Sequence, residues 1–275
     1  MKRIKHSLMV PVLAVLVFAS CKKDVKETAN ENEISNEVLA QIQKMGFNTE
    51  GIQKVDEGYL VEKDIILTAE DLSSAPTSPN LIIAQEEQYR TNNIVSASKY
   101  PTITVALDNS SAQHQAAFSA ALDAAIARYN AENLSIRFQR VSSRAQITVT
   151  AYYQVSNVLG SAGFPSKNGS PYRQIKMNTY WYTTGTGSTN VNYIATVMAH
   201  EMGHCIGFRH TDYMNRAFSC GAGGGGNEGA SNVGAVHIPG APTGPDANSW
   251  MLACIGDGEN RTFNSNDKVA LNHLF

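Results

Sequence analysis

The chain has 275 residues, 43% of them hydrophobic and 17% charged, which is enough apolar content for a folded core and too much for a disordered chain. Lys and Arg number 22 against 24 Asp and Glu, a formal charge of -2, and the first twenty residues contain Lys2, Arg3 and Lys5 but no acidic side chain. The remainder is therefore acidic overall, which argues against a nucleic-acid partner, and four cysteines in so long a chain exclude a fold held mainly by disulfides.

The opening residues follow an export layout: basic residues, an apolar run from Leu8 to Phe18, then the small pair Ala19 and Ser20 before Cys21. The apolar run is shorter than the ~20 residues of a spanning helix, and charged residues follow at once. A cysteine behind a small pair resembles a bacterial lipoprotein box, which implies a signal peptide over residues 1–20 and a lipidated Cys21 as the mature first residue. Residues 21–32 are polar and charged and read as a tether. The expected location is the bacterial cell envelope, lipid-anchored at the outer membrane.

Residues 33–72 form a small accessory region. Ile34, Val38, Leu39, Ile42 and Met45 recur at helical spacing up to Gly46, and Gly58–Val61 and Ile65–Leu67 read as short strands. This region is either a propeptide shielding a cleft or a packing subdomain. Residues 73–98, which open on a cluster of Ser, Thr and Pro, form a connector. Residues 99–275 form the main domain. Its expected elements are a strand through Ile103, Val105 and Leu107, a long helix over Ala112 to Asn130, strands over Leu134–Phe138, Ala145–Tyr153 and Ile175–Tyr182, and a terminal helix within Phe263–Phe275 capped by Asn264 or Asn266. A strand, a helix and further strands predict an α+β domain with an open sheet and a helix across one face. The glycine-rich stretch 220–229 lacks the spacing of a phosphate loop and reads as a surface loop.

The chemistry is concentrated in Ala199-His200-Glu201-Met202-Gly203-His204-Cys205-Ile206-Gly207-Phe208-Arg209-His210. His200 and His204 stand one helical turn apart, so their rings can converge on one ion. Glu201, rotated by about 100° on the helix, points beside that ion and can hold a water. Gly207 lets the chain leave the helix and return His210 as a third nitrogen ligand. Three neutral imidazoles and an open fourth position suit one catalytic Zn2+.

The pattern HExxHxxGxxH, complete from His200 to His210, resembles the metzincin zinc metallopeptidases, and within them the dual-action HEIGH metallopeptidases. The resemblance implies a zincin-type catalytic domain with a twisted mixed sheet, a long backing helix, an active-site helix and a C-terminal helix. It also implies zinc on His200, His204 and His210, water activation by Glu201, and a turn methionine at Met251 within Ser249–Ala253. Met202 stands where the subfamily name implies isoleucine. Ala253 replaces the tyrosine that some branches carry two places beyond the turn methionine, so no switching tyrosine is expected, and no upstream cysteine forms a cysteine-switch motif. Ile175–Tyr182 resembles the family's edge strand, along which an extended peptide would lie. Tyr180, Trp181 and Tyr182 are then either subsite walls or core packing.

With Cys21 lipidated, three cysteines remain, and Cys220 and Cys254 flank the glycine-rich excursion as the preferred disulfide. These readings point to a zinc endopeptidase acting on proteins or peptides. The competing classes are a noncatalytic zinc-containing substrate-binding or adhesive lipoprotein, against which an intact Glu201 argues, and a structural zinc protein, which a fourth protein ligand would favour.

Overall fold

The computed structural model describes residues 34–73, 88–108, 115–182, 190–223, 235–242 and 246–275. The expected signal peptide, Cys21 and the tether lie outside the described residues. In chain order the elements are α1 Asn36–Lys44, β1 Gln53–Val55, β2 Gly58–Val61, β3 Ile65–Leu67, α2 Ala69–Ser73, β4 Tyr89–Arg90, β5 Thr102–Leu107, α3 Gln115–Asn130, β6 Arg137–Arg140, β7 Ile147–Tyr152, β8 Gly160–Gly163, β9 Gln174–Asn178, α4 Val191–Ile206, α5 Ala217–Cys220, β10 Val236–His237 and α6 Ser265–Leu274.

One eight-stranded sheet runs in the order β1-β2-β3-β8-β9-β7-β5-β6. β6, β5, β7 and β9 are parallel, β8 runs antiparallel to β9, and β3 continues the sheet parallel to β8. The alternation of Ile103 and Val105 in β5 and of Ile147 and Val149 in β7 places one apolar face of the sheet against the helices. There Phe118, Leu122 and Tyr129 of α3 and Ile194, Met198 and Met202 of α4 join the same core. The resulting architecture is α+β, a mixed sheet flanked by long helices. α3 is rich in alanine and free of Gly and Pro, while α4 is buried almost all round because it lies inside the molecule.

The accessory region has a small core of its own, in which Ile42, Met45 and Phe47 meet Val61, Ile65 and Leu67 with Phe164 of the main domain. β3 nevertheless hydrogen-bonds directly to β8, so this region extends the catalytic sheet.

The expected strand Ile175–Tyr182 requires correction. β9 ends at Asn178, whose side chain accepts the Tyr180 N–H and starts a 3-10 turn over Thr179–Trp181. β9 also lies inside the sheet, between β8 and β7, and is not an edge. The antiparallel strand beside the catalytic helix is β8, whose Gly-Ser-Ala-Gly sequence carries none of the β-branched or aromatic residues that mark a strand.

α6 opens with a capping box, Asn264 accepting from Asn266 and Asp267 N–H and Asp267 accepting from Asn264 N–H. The same buried Asp267 carboxylate accepts from Gln88 Nε2 at 2.8 Å, Ser249 Oγ at 2.9 Å and Trp250 N at 3.2 Å. It therefore joins the connector, the turn around Met251 and the last helix. Burial raises its pKa to about 6 against these stabilising bonds. Replacing Asp267 with alanine strands several buried donors, and a loss on the order of 3 kcal/mol in urea unfolding is the expected result.

Candidate metal centre

Asn190 starts α4 by accepting the N–H groups of Asn192 and Tyr193. The helix ends at Gly207, which has φ 118°; a side chain there would meet the Asn93 carbonyl at 2.9 Å. Beyond it, residues 89–95 splint the departing chain. Thr91 N–H donates to Gly207 O, Val95 N–H to Ile206 O and Arg209 N–H to Tyr89 O, at 2.8, 3.2 and 2.9 Å. The last part of the expected connector thus holds His210 in place.

His200, His204 and His210 form one cluster, with ring centroids 4.7, 4.9 and 5.3 Å apart. Two ring orientations are fixed from behind. His200 Nδ1 faces the Trp250 carbonyl and His204 Nδ1 the Phe208 carbonyl, each at 2.9 Å, so each Nδ1 carries the proton and Nε2 points inward with a free lone pair. Met251 is buried in the turn supplying that first carbonyl, and a side chain on Gly203 would come within 2.6 Å of its sulfur. Thr211 N–H donates to Met251 O, tying the chain after His210 to the same turn.

A fourth group converges on the cluster that the sequence gave no reason to single out. Asp64, in the turn between β2 and β3, places one ligand atom within 4.8 Å of one from each histidine. Its Oδ2 lies 2.9 Å from His210 Nε2 and 3.8 Å from His200 Nε2. Burial works to raise the Asp64 pKa, but the charge of His210 and the nearness of the His200 and His210 rings hold the carboxyl well below the usual range. Asp64 is one carboxylate among 24 acidic residues and precedes His200 by more than a hundred positions, so no spacing signal marks it.

The donor set fits zinc. Burial, followed by the charges of His200 and His210, keeps His204 neutral, as a ligand nitrogen must be. Among the described residues, buried His204 Nε2 has no hydrogen-bond partner, as expected of an atom reserved for an ion. Glu201 lies beside the cluster with Oε2 likewise unpartnered. Burial and then the Asp64 charge push its pKa well above the usual carboxylate value, with His210 opposing.

A family model for the dual-action HEIGH metallo-peptidases matches residues 59–275. The chain belongs to that family. The solved structure of myroilysin is similar at 18% identity and a TM-score of 0.40, covering 66% of this chain and 97% of that one. No curated protein matches the chain. The HEIGH match begins at Tyr59 and so includes the hairpin that carries Asp64.

A cleft of about 290 Å³ opens beside His200 and Glu201, bounded by Leu159, Trp181, Tyr193, Leu252 and Ile255. Of the three expected wall aromatics, Trp181 lines this cleft and donates Nε1–H to Ser156 O. Tyr180 is partly exposed and meets Tyr153 and Trp181 edge-on, and Tyr182 is buried, its hydroxyl donating to Leu159 O. Cys220 and Cys254 form a disulfide, and the third cysteine, Cys205, is buried and free. Buried Asp212 accepts from Ser219 Oγ and Ala253 N–H, joining the disulfide's surroundings to the cleft wall. His237 sits in β10 near Tyr89, outside the histidine cluster.

Dialysis against zinc followed by elemental analysis checks this arrangement. The unaltered chain and Glu201→Ala are expected to retain a single zinc, and His204→Ala to lose it.

Proposed function

We propose that the chain is a zinc endopeptidase that hydrolyses internal peptide bonds of proteins or peptides. The observation that carries this reading is Glu201: a structural zinc site has no use for a buried carboxylate with a free oxygen beside its ligands, whereas hydrolysis needs a base there. Zinc held by the three histidines would polarise the scissile carbonyl and acidify a water.

The chain's own groups perform the rest. Glu201 accepts the attacking water's proton and delivers it to the departing amine, and burial, which pushes its pKa up, makes it the stronger base for the first transfer. The Trp250 and Phe208 carbonyls hold two imidazoles in their ligating tautomer throughout. The cleft walls Leu159, Trp181, Tyr193, Leu252 and Ile255 offer an apolar surface to one substrate side chain.

A diverse peptide library tests this reading with zinc-loaded residues 22–275, before and after brief trypsin treatment that is quenched before the library is added. The unaltered chain should cut in at least one of the two states and Glu201→Ala in neither; undiminished cutting by Glu201→Ala removes the proposed base.

The N-terminal pattern supports attachment to the bacterial envelope through a lipidated Cys21. Cys21→Ser is expected to move the protein out of the detergent-extracted membrane fraction and to abolish incorporation of labelled palmitate in the producing bacterium.

A further inference from the structure

The β2–β3 hairpin sits against both the strand beside the metal cluster and the cluster itself. β8 is the strand that passes the metal cluster, and its outer edge is taken by β3, with Ile65 opposite Ala162 and Ile66 opposite Gly163. The backbone of Asp64 is part of the same ladder, its carbonyl accepting Ala162 N–H at 2.9 Å. The Asp64 side chain then turns onto the three histidines. Two adjoining features of a peptidase site, a strand edge that can receive an extended peptide and the fourth position of the metal cluster, are thus filled by one short segment.

The segment is held by contacts with no other evident purpose. Glu62 and Lys63 both adopt left-handed backbone, φ 56° and 76°, a conformation unfavourable for residues with side chains. The turn is closed by Asp64 N–H donating to Val61 O. Opposite it, buried Arg216 donates to the Glu62 carbonyl at 3.0 Å and lies 3.5 Å from the Glu62 carboxylate. Farther out, the Arg209 guanidinium sits over the Phe47 ring at 4.6 Å, and Lys176 pairs with Glu57 at 2.7 Å.

We propose that residues 58–67 are an intramolecular plug that keeps the peptidase latent, with Asp64 as its metal-directed tip. The plug is not a substrate of its own site, because its backbone curls at Glu62 and Lys63 and presents a carboxylate, not an extended peptide bond, to the cluster. Its displacement frees the β8 edge and the fourth position together. The proposal rests on the zinc-peptidase reading.

The test uses residues 22–275 loaded with cobalt(II) in place of zinc, because the visible spectrum of cobalt reports its ligands without any turnover. Acetohydroxamate, a small chelator of an accessible metal, is titrated into the unaltered chain, Asp64→Ala and Asp64→Asn. The plug predicts a spectral change in Asp64→Ala at a chelator concentration at least tenfold lower than in the unaltered chain, with Asp64→Asn shifted in the same direction. Near-ultraviolet circular dichroism checks the fold, and Asp64→Asn, which keeps the side chain's size, decides the question if the alanine variant does not fold. Equal midpoints for the variants and the unaltered chain overturn the plug while leaving the metal site intact. Cobalt uptake that His204→Ala does not reduce overturns the metallopeptidase reading and the plug with it.

Discussion

The site depends on one break in one helix. His200 and His204 need α4 to stay regular, and His210 needs it to stop; both demands meet at Gly207. Left-handed backbone at that residue redirects the chain within a single position, and the lack of a side chain lets residues 93 and 94 pass close enough to brace it. The surrounding structure fits this geometry: β4 and the residues up to Val95 splint the departing segment, and Phe208 returns a carbonyl to His204. The Met251 turn presses against the helix where Gly203 leaves room for it. The metal nest is therefore a consequence of backbone direction, and its side chains take the rotamers that this direction allows.

The catalytic helix was legible in the sequence because its signal is local. Ligands one turn apart, a base next to the first, and a glycine between the second and third encode their own geometry at short range. The α1 and α6 helices were legible for the same reason, through apolar periodicity and a capping asparagine. What was not legible depends on pairing across the fold. β8 is built from small residues whose strand character comes from its neighbours on both sides, and β9 reads as a longer, outer strand until the capping action of Asn178 and the position of β8 are known. Asp64 is the extreme case, since a carboxylate between two short strands acquires its role only from the three rings it reaches.

Charge burial shows how closely the two parts of the chain were made for each other. Arg209, Arg216, Glu62, Asp64 and Glu201 are all almost fully buried, a cost that isolated charges could not bear. Each of the first four is met by a partner on the other side of the accessory-to-catalytic boundary, namely Phe47 for Arg209, Glu62 for Arg216, and the histidines for Asp64. Glu201 also retains an oxygen with no hydrogen-bond partner among the described residues. Charges that meet across the boundary tie the two parts together, and Glu201 is the buried carboxylate assigned to chemistry.

The Cys220–Cys254 bond gives the site a second kind of dependence. Cys254 belongs to the cleft wall, and its neighbours are drawn in by Ser219, whose hydroxyl accepts Cys254 N–H, and by Arg261, which donates to the Cys254 carbonyl. The histidine cluster contains no sulfur ligand. A reductant can therefore act on the cleft wall without touching a metal ligand directly. Metal content and substrate fit thus answer to different chemistry in the surroundings: a chelator addresses the first and thiol potential the second.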